Sequence, residues 1–165
     1  MLLANHFSWW DGFLMFQLNN LVFKRNFHVL VADEDYRNKW YLKYLGAFAA
    51  NNKGKDVLDT LTYAGKLLDE PENLVLLFPQ GKLYSNHVRS VAFEKGMMQL
   101  LNATKKKFQI VFSVTLTDFF EHKKPGMHTY LKSWEGEEYI SLQLLKSEYN
   151  KHYENSLKIQ CKPVV

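Results

Sequence analysis

The chain opens with two side chains that can move a proton together, the imidazole of His6 and the carboxylate of Asp11. In one continuous helix these positions would lie about 140° apart around the axis and could not meet. A turn must therefore separate them, with His6 on a strand end or loop. Asp11 would lie in the first turn of a helix beginning near Trp9, capped by Ser8 or a neighbour. Asp11 can then accept the proton of one ring nitrogen and leave the other basic, as in a general base with its orienting acid.

His6 and Asp11 alone would also fit a surface histidine beside a capped helix. A second stretch favours the catalytic interpretation. The apolar run 74–78 leads directly into Pro79-Gln80-Gly81-Lys82. A strand that ends in this way places the following turn at the carboxyl edge of a sheet, where open α/β sheets bind ligands. Glycine at position 81 lets the backbone approach a ligand, and exposed amides around it can stabilise an oxyanion. Taken alone, the stretch also fits an ordinary strand-to-helix turn.

These stretches in their order resemble the glycerolipid acyltransferase family, whose best known members are the 1-acylglycerol-3-phosphate acyltransferases. Residues 5–11 match its N-H-x-x-x-x-D motif, in which Asn5, His6 and Asp11 are the defined positions. Residues 78–81 match F-P-x-G, and residues 93–96 match the F-x-x-G that usually follows. The separation of the three motifs also fits, and the resemblance covers roughly residues 1–120.

The resemblance implies an enzyme that moves a fatty acyl group from acyl-CoA or acyl-carrier protein to a hydroxyl or amine of a lysophospholipid or other lipid-like acceptor. His6 is then the general base and Asp11 its orienting acid. The residues expected to bind substrate or brace the site are Asn5, Ser8, Phe78, Pro79, Gln80, Gly81 and Lys82. No metal and no cofactor other than the acyl thioester donor is expected. The expected partners are that donor, a lipid acceptor and a membrane surface, with a peripheral location on the cytoplasmic face and no role for nucleic acid.

Several positions depart from the family pattern. The third motif is usually F-P-E-G-T-R-S, whereas this chain has the neutral Gln80 in place of the acid and lacks the arginine. The second motif, usually G-x-x-F-I-D-R, also lacks its arginine over residues 46–52, and no proline interrupts the apolar run 110–114. A lysine such as Lys82 does not reproduce the two parallel hydrogen bonds of a guanidinium to phosphate. We therefore predict retained chemistry, an altered acceptor pocket and weak activity on lysophosphatidic acid.

Composition sets the limits of these interpretations. A chain of 165 residues with 47% hydrophobic side chains is expected to form one folded domain over residues 1–165. The single cysteine, Cys161, excludes an internal disulfide and favours a reducing compartment. No apolar run approaches the roughly 18 residues of a membrane span. Only residues 1–4 precede the His6 loop, so we expect that an N-terminal portion supplied by the family, with a membrane-contacting segment, is missing.

Short apolar runs alternate with helical patterns along the chain. The predicted strands are 28–32, 46–50, 74–78, 108–117, 127–132 and 157–161, and the predicted helices are 9–21, 33–44, 56–68, 90–101 and 137–153. This alternation is typical of an α/β fold with a mostly parallel central sheet covered by helices on both faces.

One other function fits the sequence, and two more fit it poorly. The missing arginines suit a lipid-binding or acyl-binding module of the membrane surface that has lost turnover. The net charge of +4 and a pI near 9.0 suit nucleic acid as well as anionic lipid or donor phosphates, but the aromatic residues fall on apolar runs and not among the lysines. The six histidines show no i, i+4 pair and no ligand spacing typical of a metal hydrolase.

Overall fold

The computed structural model describes residues 1–50, 54–135 and 141–161. Its centre is a six-stranded sheet in the order β3-β2-β4-β1-β5-β6. The strands are β1 Leu2–Ala4, β2 Asn26–Ala32, β3 Ala47–Ala50, β4 Asn73–Leu77, β5 Ile110–Asp118 and β6 Gly126–Trp134. All neighbouring strands run parallel except β5 and β6, which form an antiparallel pair. The predicted α/β class is confirmed, and β1 to β5 end at one common edge, the carboxyl edge.

Helices connect the parallel strands, and one more helix follows β6. They are α1 Asp11–Leu18, α2 Asp33–Asn38, α3 Gly54–Leu67, α4 Met97–Ala103 and α5 Leu142–Gln160. A π-helical turn, Asn19–Phe23, extends α1, and a 3₁₀ helix, Trp40–Leu45, follows α2. The helix expected over 33–44 is thus two short pieces, because Lys39 between them has the non-helical angles φ −121° and ψ 79°.

Both faces of the sheet are covered, as predicted. On β4, Leu74 and Leu76 pack on one face in a cluster with Met15 of α1. Val75 and Leu77 point to the other face, where the cluster includes side chains of α3, α4 and α5. This alternation follows from the two-residue period of a strand. From Leu74 to Leu77, β4 is apolar because it is buried on both sides.

Residues 90–96 do not form the first part of the helix predicted over 90–101, and that part of the prediction is wrong. The amide and carbonyl of Val91 bond instead to the side chain of Asn150 in α5, at 2.7 and 3.0 Å. Because the side chain of Asn150 already satisfies these backbone N–H and C=O groups, they do not require helical hydrogen bonds. The helix therefore begins only at Met97.

The terminal strand predicted over 157–161 is also wrong, because α5 continues to Gln160. Leu157 packs on the same cluster as Tyr153, one helical turn earlier, and Glu154 pairs with Lys158 at 2.7 Å across i, i+4. The predicted start of this helix at Glu137 lies outside the described residues. As described, α5 follows Ser141, whose hydroxyl oxygen accepts a hydrogen bond from the Leu144 amide at 3.1 Å.

Candidate active site

The loop that carries His6 continues directly from β1, in the middle of the sheet. Its position is fixed by Asn5, which is only 1% exposed. The Asn5 carboxamide accepts from the Thr115 amide at 2.7 Å and donates to the Thr115 carbonyl at 2.9 Å. The side chain thus extends the ladder between β1 and β5 by one step, so that His6 emerges at the carboxyl edge.

Asp11 holds this loop in a tight turn. Its Oδ2 accepts hydrogen bonds from the Phe7 amide at 2.7 Å and from the Ser8 amide at 2.8 Å, and it lies 3.2 Å from His6 Nδ1. The Asp11 side chain is buried at the start of α1, as the spacing predicts. The Ser8 hydroxyl accepts from the Trp10 amide at 3.2 Å, so it braces the turn just before the helix. One carboxylate therefore orients both the imidazole and the backbone that carries it.

The loop after β4 contacts the His6 loop through its backbone and side chains. Gln80 Oε1 accepts from the His6 amide at 2.6 Å, and the His6 carbonyl accepts from the Tyr84 amide at 3.0 Å. The imidazole stacks on the ring of Phe78 at a centroid distance of 4.1 Å and an interplanar angle of 17°. The two stretches singled out in the sequence thus meet at one place.

Gly81 forms the tight bend of this second loop. Its φ of +65° lies in the left-handed region, and its amide donates to the Phe78 carbonyl at 3.1 Å. The F-x-x-G segment closes over the bend, because the Glu94 amide donates to the Pro79 carbonyl at 2.8 Å. A Cβ at position 81 would lie only 2.9 Å from Glu94 Cγ. Glycine is therefore required both by the backbone angle and by the close approach.

Two predicted residues of this loop lie on opposite sides of it. Gln80 is 1% exposed and faces inward, and its Nε2 finds no hydrogen-bond acceptor among the described residues. Lys82 is exposed, with its ammonium 5.5 Å from the centre of the Tyr84 ring. Gln80 thus supports the His6 loop from behind, whereas Lys82 faces the solvent side of the cleft.

A cleft of about 640 Å³ opens beside the imidazole. Most of the side chains that line it are apolar, and they come from β2, β4, α1, α3 and the segment before α4. They include Phe13, Phe16, Phe27, Val29, Leu30, Val31, Val57, Leu61, Leu77, Phe78 and Met97. The charged side chains on its wall are Asp35, Lys82 and Glu94. An elongated apolar ligand fits such a wall, with its polar end near His6.

A model of the Acyltransferase family matches residues 1–115. The chain belongs to this family. No curated protein and no solved structure matches it. The matched range includes both loops and every residue that lines the cleft. Membership supports a general acyltransferase activity, and the matched region ends within β5, before all of β6 and α5.

Sequence reasoning missed how α5 supports the acyltransferase site from outside the matched range. The Tyr149 hydroxyl donates to the Ser113 carbonyl at 2.8 Å, and the Tyr153 hydroxyl donates to the Val88 carbonyl at 2.9 Å. Burial raises the pKa of Tyr149 well above its usual value of 10.0, so its hydroxyl remains a donor. The tyrosines sit four residues apart on one helix face, which the sequence shows, but nothing local in it reveals their partners.

The described residues contain no group of three or more His, Cys, Asp or Glu side chains placed to hold a metal ion. Within that same part of the chain, none of the helices has the length and apolar character needed to cross a bilayer.

Proposed function

We propose that the protein transfers a fatty acyl group from an acyl thioester, acyl-CoA or acyl-carrier protein, to a hydroxyl or amine of a lipid-like acceptor. The observation that carries this proposal is the pairing of His6 with Asp11 at the mouth of an apolar cleft, in a chain of the Acyltransferase family. No covalent acyl-enzyme is needed, because the acceptor itself attacks the thioester.

His6 acts as the general base in this proposal. In this role, the Nδ1–H group of His6 donates a hydrogen bond to Asp11 Oδ2, which leaves the lone pair of Nε2 free for the acceptor. As the acceptor oxygen or nitrogen attacks the carbonyl carbon, its proton moves to Nε2. When the tetrahedral intermediate collapses, the carbon–sulfur bond breaks and the imidazolium returns this proton to the leaving thiolate.

The bend at Gly81 is the proposed binding site for the donor. Lys82 beside it would supply positive charge for the donor's phosphates. The Gly81 amide is bonded to the Phe78 carbonyl, so a backbone amide that follows Gly81 in the bend would stabilise the developing oxyanion. Gln80 keeps the His6 amide in place through its Oε1. Asn5 and Ser8 brace the same loop, and Phe78 with Pro79 forms the wall on which the imidazole stacks.

The acyl chain occupies the apolar part of the cleft in this proposal. Side chains of α1 and β2, such as Phe13, Phe16 and Val29, would contact it. Each methylene removed from water contributes about 0.8 kcal/mol, so a long chain gains most of its binding energy here. The residues around His6 then need only to position the thioester carbonyl.

The acceptor is proposed to lack a phosphate monoester. Of the two carboxylates on the cleft wall, Asp35 is paired with Lys39, which leaves Glu94 beside the one ammonium of Lys82, and no arginine lines this wall. A carboxylate repels a dianionic headgroup, and an ammonium alone does not give the bidentate contact of arginine. The bilayer that supplies such an acceptor is proposed to be contacted from its cytoplasmic side.

A transfer assay tests the proposal. The purified protein is incubated with acyl-CoA and a panel of lysophospholipids, lipid alcohols and lipid amines, and acylated products are identified by mass spectrometry. We expect a product with the parent, none above background with His6→Ala, and parent-like yield with His122→Ala, an exposed histidine of the β5–β6 turn. Turnover by His6→Ala at the parent rate would contradict the proposal.

A second candidate function is a lipid-binding or acyl-binding module without turnover. The observation that favours it is Gln80, whose neutral amide replaces the family's acid in a buried position beside His6. In the same assay, this function predicts tight retention of an acyl chain and no product with any donor.

A further inference from the structure

Six aromatic side chains form a continuous chain at the surface next to the cleft mouth. This aromatic rim consists of Trp9, Trp10, Phe13, Trp40, Tyr41 and Tyr44, and neighbouring ring centres lie 5.0 to 6.4 Å apart. Its members come from the turn before α1, from α1 itself and from the 3₁₀ helix. Trp9 and Phe13 also line the cleft, so the rim joins the cleft to the outer surface.

The outer rings of the rim stand out from the protein. Trp10 is 60% exposed, Trp40 70% and Tyr44 71%, whereas Phe13 and Tyr41 in the middle are half-buried. Large exposed apolar patches on a folded protein mark an interaction surface. Because these rings are more than half exposed, they project from the surface and can insert into a soft partner such as a lipid layer.

Cations accompany the rings. The ammonium of Lys39 lies 4.4 Å from the centre of the Trp9 ring, and that of Lys43 lies 5.0 Å from the centre of Tyr44. The acidic residues of neighbouring α2 are largely neutralised, because Asp35 pairs with Lys39 and Asp33 pairs with Arg37. Tryptophan and tyrosine interspersed with lysine are typical of the interface between water and a bilayer with anionic lipid.

We propose that the aromatic rim docks the protein on a phospholipid bilayer that contains anionic lipid, with the cleft mouth turned toward the lipid. The proposal rests on the proposed function, which requires a lipid-like acceptor to reach His6. The Lys43 ammonium beside the Tyr44 ring favours an anionic lipid surface over a protein partner. The net charge of +4 adds a general attraction to an anionic surface.

Vesicle sedimentation tests the rim directly. The parent is mixed with vesicles of phosphatidylcholine alone or with phosphatidylglycerol, and we expect stronger binding to the second. Trp10→Ser/Trp40→Ser should weaken that binding on the order of 10-fold or more, because two rings no longer leave water. Tyr63→Ser is the matched control, because Tyr63 on α3 is 50% exposed and its ring contacts Phe48, which is not part of the rim, so its loss should leave vesicle binding unchanged.

The charge on the rim gives a smaller, separate effect. Lys43→Gln should weaken binding to the phosphatidylglycerol vesicles by about fivefold, since one lysine near an anionic surface contributes about 1 kcal/mol. Binding to phosphatidylcholine alone should stay the same. A loss on both kinds of vesicle would contradict the electrostatic part of the proposal.

Fluorescence supplies a control within the chain, because one of the four tryptophans, Trp134, stacks on Phe112 and lies outside the rim. One variant, Trp9→Phe/Trp40→Phe/Trp134→Phe, keeps only Trp10. Another, Trp9→Phe/Trp10→Phe/Trp40→Phe, keeps only Trp134. With vesicles of brominated lipid, we expect quenching of Trp10 and none of Trp134. Equal quenching of both, or full vesicle binding by Trp10→Ser/Trp40→Ser, would overturn the proposal.

Two arms separate the failure of this proposal from failure of the proposed function. With a short-chain acyl-CoA and a water-soluble alcohol, Trp10→Ser/Trp40→Ser should turn over like the parent, whereas His6→Ala should not. Rim-dependent vesicle binding without any transfer would contradict only the function. If transfer depends on His6 but Trp10→Ser/Trp40→Ser binds vesicles like the parent, only the docking surface is contradicted.

Discussion

The two halves of the sheet carry similar apolar side chains, but these have different roles. Around β2 and β4 the side chains line an open cleft, and rings such as Phe16 remain partly exposed. Around β5 they are sealed by α5, where Phe112, Leu145 and Tyr149 have no exposed surface. The cleft half leaves room for a ligand, whereas the packed half is filled with side chains that stabilise the fold.

The packed half also holds the cleft half in place. Asn150 of α5 binds the backbone of Val91, and Tyr153 binds the backbone of Val88, so both anchor the segment that closes over Gly81. Phe7 of the His6 loop packs edge-on against Tyr153 at a centroid distance of 6.2 Å. A helix beyond the matched residues 1–115 therefore positions both loops of the site.

The largest expected effect distinguishes the two halves by stability. Phe112→Ala should lower the free energy of unfolding by about 3–5 kcal/mol, because the ring is fully buried against Trp134 and Tyr149. Chemical denaturation measures it. Phe16→Ala in the cleft half should cost less than half as much, since that ring already borders open space. Equal losses at the two positions would contradict the comparison.

The next effect is on turnover and belongs to the cleft half. Asp11→Asn should lower acyl transfer on the order of 10²-fold, because an amide does not stabilise the imidazolium of His6. Steady-state kinetics with a fixed donor measures this. Asp118→Asn is the control, since Asp118 also accepts backbone hydrogen bonds, from Phe119 at 2.8 Å, but in the β5–β6 turn. Equal activity in the two variants would remove Asp11 from the mechanism.

The volume of the cleft gives a smaller effect. Gly12 lines the cleft, and a Cβ added there meets nothing within 4 Å. Gly12→Phe should therefore lower transfer from long-chain donors by about 10-fold while short-chain donors are spared. Gly12→Ala should leave the preference unchanged. A uniform loss across all chain lengths would place the acyl chain elsewhere.

The smallest effect is a pH dependence of the packed half. Burial lowers the pKa of His152 below its usual 6.5, against the opposing effect of its bond to the Tyr130 carbonyl at 3.0 Å. The unfolded chain thus binds this proton more readily, so stability is full above the usual pKa and falls as pH drops through it. Thermal unfolding at about pH 7.5 and pH 5.5 should show a smaller loss for His152→Gln than for the parent. Equal losses would exclude His152 as the cause.

The sequence predicted the parts of the fold and site that depend on nearby residues. The run into Pro79 identified β4, and the spacing of His6 and Asp11 predicted a turn and a helix that begins with the acid. Partners far apart in the chain were beyond such reasoning, as with Asn5 and Thr115, 110 positions apart. The start of α4 was misjudged for the same reason, because Asn150 takes the backbone bonds of Val91 from 59 positions away.

A short apolar run accounts for the error at the end of the chain. Residues 157–161 are too few to show the period of their apolar side chains, so the sequence does not distinguish a strand from a helix there. In the structure, Leu157 packs in the same cluster as Tyr153 and continues α5. The two halves of the aromatic rim are visible in the sequence as Trp9-Trp10 and Trp40-Tyr41, but nothing local shows that they meet, which they do through Phe13 and Tyr41.

The most direct test of the central claim measures kcat/KM for acyl transfer by the parent and by His6→Ala, without and with added imidazole. If His6 is the base, its removal should cost roughly 10²-fold or more, and imidazole bound in the vacated space should restore part of the rate. An unchanged kcat/KM in His6→Ala would contradict the account.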